Sequence, residues 1–320
     1  MPDPGRRDLG RRWRKHGIVF RAEGQGGWMA SHAQVPTVLL LPDRFRVFVA
    51  SRPRPGFSLT GWVDLDRRDP MLVLATSPAP ILEPGPRGGF DEHGIMPSAI
   101  VEENGTVRLY YSGWCRLAGG APYHNSTGLA ISEDGGRTFR RACPGPVLDR
   151  SPYEPFSATS PWVLREGGTW HVFYSSGLAW IEVEGKPEHV YDIRHATSTD
   201  GIAWCRGGTP AIGQGFAEEA LTRPTIVREA DGSWSMWFCH RGSRGFRGVG
   251  DAYRIGFARS VDLLTWVRDD AVAGIDVTEG GFDSEMIAYP CLVEADGRLL
   301  MFYNGDGFGQ AGFGLAELER

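Results

Sequence analysis

Five prolines cut the chain into near-equal lengths. Pro36, Pro97, Pro161, Pro224 and Pro290 follow one another at intervals of 61, 64, 63 and 66 residues, and each opens an apolar segment: Pro36-Thr37-Val38, Pro97-Ser98-Ala99-Ile100, Pro161-Trp162-Val163, Pro224-Thr225-Ile226 and Pro290-Cys291-Leu292. An aromatic entry precedes every one, at Gly27-Trp28, Gly89-Phe90, Pro155-Phe156, Gly215-Phe216 and Gly281-Phe282. A second, aromatic-rich strand follows at 45–50, 107–112, 170–175, 234–239 and 299–304. Turns such as Glu103-Asn104-Gly105 and Ala295-Asp296-Gly297 lie between the two strands. Asn-Gly and Asp-Gly tolerate positive φ and so suit hairpins. A third strand then runs into Ser132-Glu133-Asp134-Gly135, Ser198-Thr199-Asp200-Gly201 or Ser260-Val261-Asp262, and an aromatic (Phe139, Trp204, Trp266) starts a fourth. The first unit, over Thr60 to Asp66, lacks that signature. Self-similarity at this period is longer than a WD40 blade and fits four strands with long connections. The pattern predicts an all-β chain, a five-bladed β-propeller of four-stranded antiparallel blades.

The two ends complete the count. The last unit stops after its third strand, Gly312-Phe313-Gly314-Leu315-Ala316, whereas Trp13 to Phe20 resembles the fourth strand that begins at Phe139. The N-terminal strand is therefore expected to complete the last blade, which removes open sheet edges. Residues 1–320 read as a single domain, with 1–12 a flexible leader. With 44 Gly and 22 Pro, the composition suits short strands and tight turns. A net charge of −5 gives no reason to expect nucleic acid or an anionic membrane as partner, and the basic cluster Arg6, Arg7, Arg11, Arg12, Arg14 and Lys15 reads as solvated. No apolar run approaches the roughly 18 residues of a membrane span. The N-terminus has no signal-peptide core. The five cysteines form no CxxC pair, so reduced thiols in a cytoplasmic protein are expected.

In a propeller the first strand of each blade lines the axis, so the segments before the five prolines converge on one mouth. They offer His32 and Gln34; Asp91, Glu92 and His93; Glu154, Thr159 and Ser160; Glu218, Glu219, Thr222 and Arg223; and Asp283, Glu285 and Tyr289. Carboxylates crowded at one mouth repel each other unless a ligand, metal or arginine offsets them. Asp91, Glu218, Glu219, Asp283 and Glu285 are thus candidate catalytic groups. Glu219 or Glu218 is the expected acid, its pKa raised by its neighbours, and Asp91 or Asp283 the base. His32 and His93 would hold hydroxyls or carry protons. Trp114 and Trp180, each following a second strand, would form a sugar-stacking wall, while Arg52, His240 and Arg241 would take an anionic group. The Ser-x-Asp-Gly turns read as structural. No cofactor is expected; His32, His93 and the carboxylates leave an axial metal open, though their spacing matches no metal motif.

The proline-led inner strands, aromatic second strands such as Leu109-Tyr110-Tyr111-Ser112-Gly113 and Val172-Phe173-Tyr174-Ser175, and the Ser-x-Asp-Gly-x-x-Trp/Phe units resemble the five-bladed propellers of glycoside hydrolase family 43 and its relatives in families 32, 117 and 130. The resemblance implies axial carboxylates that cleave a glycosidic bond, one protonating the leaving oxygen and one activating water. In family 43 a catalytic Asp stands directly before the first blade's proline and the acid Glu comes from the fourth blade. Here Val35, Met96 and Ser160 precede the first three prolines, and Glu218 or Glu219 matches the acid by location. Three functions follow: cleavage or transfer at a glycan, glycoside or sugar nucleotide; phosphorolysis, with His240, Arg241 and Arg223 holding phosphate; or non-catalytic sugar binding or scaffolding.

Overall fold

The computed structural model describes residues 10–23, 25, 27–247 and 250–319. Arg6 and Arg7 of the basic cluster lie outside them. The first strand, β1 (Trp13–Phe20), is followed by five sets. These are β2 (Gln34–Leu40), β3 (Arg44–Ser51), β4 (Leu59–Asp66) and β5 (Val73–Thr76); β6 (Gly94–Glu103), β7 (Thr106–Arg116), β8 (Tyr123–Ser132) and β9 (Arg140–Arg141); β10 (Ala158–Glu166), β11 (Thr169–Val183), β12 (Lys186–Ser198) and β13 (Cys205–Ile212); β14 (Ala220–Arg228), β15 (Trp234–Arg241), β16 (Arg254–Ser260) and β17 (Trp266–Arg268); and β18 (Ala288–Ala295), β19 (Arg298–Asn304) and β20 (Phe313–Leu318). Each set is an antiparallel meander, and β1 adds to β20 as the fourth strand of blade 5. The innermost strands touch in the order β2, β6, β10, β14, β18 and back to β2, so the five sheets radiate from one axis. This is the predicted five-bladed propeller with the predicted closure. Trp13 sits in the core and Arg11 pairs with Glu229, which ties the start of the described chain to blade 4.

Strand residues alternate between faces, so each second strand feeds two interfaces. In β19, Met301 packs towards blade 4 with Trp237 and Phe257, whereas Phe302 packs towards blade 1 with Phe45 and Val47. One apolar cluster fills each gap between blades. At the periphery, Ser132, Ser198 and Ser260 hydroxyls each donate to the Asp two residues on, whose carboxylate accepts from amides of the turn.

The inner strands share one further device. Val35, Ser160, Arg223 and Tyr289, each directly before its proline, adopt φ of 51, 50, 56 and 56°. A β-branched residue at such a φ is strained. The previous blade supplies a partner at one register position of its second strand. The Val35 N–H donates to Asn304 Oδ1, the Ser160 N–H to Ser112 Oγ and the Tyr289 N–H to Cys239 Sγ; the Ser175 hydroxyl donates to Thr222 Oγ1 beside Arg223. In blade 1 the same register position is Ala50, which has no polar side chain, and Met96, the residue it would serve, keeps a negative φ. The bulge before the proline is therefore a clamp between neighbouring blades, present where the neighbour has a polar side chain to hold it.

Candidate ligand site at the propeller mouth

Four of the carboxylates expected around the axis have another occupation. Asp91 accepts from the Tyr111 hydroxyl (2.9 Å) and from Arg141 (2.8 Å). Glu154 accepts from Tyr174 (2.8 Å) and Arg206 (2.9 Å), and Asp283 from Tyr303 (3.2 Å) and Lys15. Glu219 is held bidentately by Arg268 (2.7 and 2.9 Å), with His240 Nδ1 3.2 Å away in the place of a tyrosine. Each carboxylate is fully buried, each tyrosine comes from the second strand of the same blade, and each cation from its fourth strand. With strands about 4.8 Å apart, a carboxylate touching the fourth strand lies over the blade, not on the axis. These are intrablade clasps. In blade 1 the register position of those tyrosines is Val49, which packs with Met29 in an apolar cluster.

The clasps correct two expectations. Burial pushes the Glu219 carboxyl up, but hydrogen bonds from Arg268 and His240 outweigh it and hold the pKa at about 2. That is the opposite of the raised value an acid needs. His240, expected to take an anion, already serves Glu219 and lies 3.8 Å from Asp270. Glu218 makes a surface pair with Arg244 (2.9 and 3.0 Å). Glu285 is different: its N–H donates to Asp306 and its carbonyl accepts from Arg254, and its half-buried carboxylate has no partner among the described residues.

Arg223 crosses the channel. Its guanidinium donates to Ser98 O and Oγ of blade 2 and to Pro36 O (2.8 Å) and Thr37 Oγ1 (2.7 Å) of blade 1. It closes the floor of the axial pit. Near one another at this mouth stand His32, Gln34 and Arg52 from blade 1, Tyr289 from blade 5, and Arg241 and Tyr253 from blade 4. Tyr253 and Tyr289 have ring centroids 5.6 Å apart, and the Tyr191 hydroxyl meets that of Tyr253. Arg241 lies 3.6 Å above the Phe246 ring and donates to His189 O and Gly242 O. Burial, then Arg52, lower the His32 pKa to about 4, so it is neutral near pH 7. Thr159 is buried with an unpartnered hydroxyl.

The two tryptophans part company. Trp114 donates to Ser58 Oγ (2.7 Å) and lies beside His93, which also stacks near Phe57, so Trp114 and His93 brace blades 1 and 2. A Cβ on Gly94 would come within 1.5 Å of the Trp114 indole nitrogen. Gly94→Ala is expected to cost about 1–3 kcal/mol, the range for overpacking, and to shift tryptophan emission; unchanged urea midpoint and emission would refute this bracing.

Trp180 instead lines a cavity of about 250 Å³ with Tyr123, His124, Asn125, Arg150, Phe156, Ser157 and His189. The β11–β12 hairpin is long, and counting outward from its Glu184-Gly185 turn pairs Trp180 with His189. Their rings stack at 4.3 Å and 8°, with Tyr123 edge-on to Trp180 at 5.0 Å. Second strands end at the mouth where inner strands begin, so this cavity adjoins the pit, linked through His189 and Arg241. Burial, then the Arg241 and His124 charges, lower the His189 pKa to about 3. His124 Nε2 is 2.7 Å from Asp149. Sequence reasoning singled out Trp180 and missed Tyr123, His124, Arg150, His189 and Tyr191. The Glu-Gly turn was the signal for His189. Among the described residues no group of three His, Cys, Asp or Glu is placed to hold a metal, and no helix is long and apolar enough to cross a membrane.

This architecture is that of the glycoside hydrolase propellers. The chain superposes with a TM-score of 0.73 on a BT0996–RGII complex (16% identity, covering 96% of this chain and 92% of that one). It superposes at 0.72 on a structure from the GH130 family of mannoside phosphorylases, described as containing glycoside hydrolases that target β-1,2 mannosidic linkages in Candida mannan (14%, 99% and 95%). A thermostable family-43 glycoside hydrolase matches at 0.64 (16%, 94% and 92%). No family model matches the chain. The chain belongs to one family with the uncharacterized proteins Rv1502 and MT1551 of Mycobacterium tuberculosis, strains H37Rv and CDC 1551, each 40% identical to it over 309 residues, 96% of this chain and 99% of the relative.

Proposed function

We propose that the chain is a carbohydrate-active protein of glycoside hydrolase type that holds a glycan, glycoside or sugar nucleotide at the propeller mouth. The observation that carries this is the stacked Trp180–His189 wall with Tyr123 on its edge, facing Asn125, His124, Arg150 and Ser157 across a cavity of about 250 Å³. An apolar wall opposite a few fixed polar groups is the composition of a small-molecule site. It suits a sugar ring, whose C–H face packs on aromatic planes while its hydroxyls take the polar side. Trp180→Ala is expected to weaken binding of the sugar ligand about ten- to a hundredfold, roughly 1.4–2.8 kcal/mol, while leaving the fold intact; calorimetry against a glycan panel checks it. Undiminished affinity in that variant would remove the reading.

Cleavage at this mouth needs an acid. Of the five carboxylates proposed for the chemistry, Glu285 alone has a side chain without a partner among the described residues, and it takes that role here. Binding without cleavage is the second reading, favoured by the clasps and by the lack of any carboxylate directly before the five prolines. Turnover of a chromogenic glycoside that Glu285→Gln abolishes supports cleavage. Retained binding with no turnover of any panel member supports the second reading.

A further inference from the structure

Four arginines are buried: Arg46, Arg194, Arg223 and Arg241. Arg46 meets Asp64 at 2.8 Å and Arg194 meets Asp192 at 3.0 Å. Arg223 and Arg241 meet no carboxylate. Among the described residues Arg223 donates to Ser98, Pro36 and Thr37, and Arg241 to Gly242, Ser243, His189, Tyr191 and Tyr253, so every acceptor is a carbonyl or a hydroxyl. The Nε of each is buried without a partner. Arg52, exposed at the rim of the same pit, has no hydrogen bond or ion pair to its guanidinium among the described residues. All three act electrostatically on the Tyr289 phenol.

This is unusual in a chain of net charge −5 whose other buried cations are matched. A buried charge without a counter-charge is costly. Two such charges, Arg223 and Arg241 of blade 4, with the exposed Arg52 of blade 1 beside them, leave a positive potential that no carboxylate among the described residues pairs with. Burial first, and then these charges, act on the neighbouring histidines: Arg52 adds to the lowering of His32, and Arg241 with His124 to that of His189.

We propose that the axial pit binds a compact oxyanion carried by the ligand, either the carboxylate of a uronate-type sugar or the phosphate of a sugar phosphate. Arg52 meets it at the rim, Arg223 and Arg241 supply the field beneath, and the Tyr289 hydroxyl and the one proton left over from the Tyr191–Tyr253 pair are at hand to donate. This deepens the reading of the mouth as a sugar site and rests on it: the sugar ring lies against Trp180 and the anion points to the axis. Guanidinium suits such oxyanions because its planar fork matches carboxylate and phosphate oxygens.

The test is calorimetry on the whole chain with four probe classes: neutral hexoses, the matching hexuronates, the matching hexose phosphates, and inorganic phosphate or acetate alone. Charged sugars are expected to bind at least tenfold more tightly than their neutral counterparts, the better of the two naming the anion. Arg52→Gln breaks no guanidinium bond to a described residue. It is expected to remove most of that preference while leaving neutral-sugar affinity and the melting temperature unchanged. Equal binding of neutral and charged sugars, or a preference untouched in Arg52→Gln, overturns the anion site and leaves the sugar reading standing. Phosphate or acetate binding that Arg52→Gln weakens, with no sugar bound, upholds the anion site and removes the sugar reading. Failure of every anion to bind overturns the inference outright.

Discussion

Arg268→Met will destabilise the chain by about 3–5 kcal/mol, the cost of breaking a buried pair from one side, with a fall in Tm on the order of 10 °C. Glu219 is wholly buried, and Arg268 gives it two of its hydrogen bonds. Without the guanidinium, the carboxylate keeps only His240 and the Gly215 amide. The double variant Arg268→Met/Glu219→Gln should recover much of the loss, because no buried charge is then left over. Urea midpoints of the two single variants and the double one decide the matter. Additive losses would mean that Glu219 and Arg268 do not act as a unit. An alternative role for Glu219 as the proton donor of a reaction would show instead as lost turnover at unchanged stability.

Acidification provides the second large effect. His189 has its pKa lowered to about 3 by burial and by Arg241 and His124; His32 to about 4 by burial and Arg52; His195 to about 4 by burial and His171. In the unfolded chain all three titrate near 6.5. Below that value the unfolded state binds protons that the native state refuses, so stability is full above pH 6.5 and is lost as pH falls towards 4. Each tenfold weakening of proton binding is worth about 1.4 kcal/mol, and because His32 and His195 are only partly buried the three imidazoles together withdraw several kcal/mol, a large share of the stability of a typical domain. Glu219 adds nothing in this window: its contribution is present above about 4.5 and is lost only towards pH 2. The urea midpoint should therefore start to fall below pH 6.5, well before carboxylates titrate. In His189→Gln the slope between pH 6 and 4.5 should lessen by about 1.4 kcal/mol per pH unit. A midpoint flat down to pH 5 would contradict the burial assigned to these imidazoles.

The blades were legible because a period is a property of the chain itself. Pro36 to Pro290 mark the inner strands, and Trp13 to Phe20 carries a fourth-strand pattern that only blade 5 lacks. Even blade 1, whose Thr60 to Asp66 segment lacks the turn signature, folds its third strand in register. The clasps were half legible. Asp91 and Tyr111, Glu154 and Tyr174, and Asp283 and Tyr303 are each 20 residues apart, a regularity open to reading beforehand. The partners that decide the chemistry, Arg141, Arg206 and Arg268, come from fourth strands 50, 52 and 49 residues beyond their carboxylates, a drifting interval that marks no motif, and Lys15 comes from the opposite end of the chain. A carboxylate placed near the mouth by counting thus looked available when it was already spoken for. The cavity escaped for another reason: its lining comes from the β7–β8 and β11–β12 hairpins of different blades and from the connection before β10, and no single stretch of sequence holds it.

Closure by β1 and β20 ties the order of synthesis to the order of assembly. Arg14 and Glu317, which face each other across that seam, are 303 positions apart, so β1 is synthesised well before β20 and waits for it. Until it docks, β20 presents a bare row of amides and carbonyls that the leading strand of another copy would fill equally well. Crowding of nascent chains therefore favours interlocked dimers, and dilution favours the closed monomer.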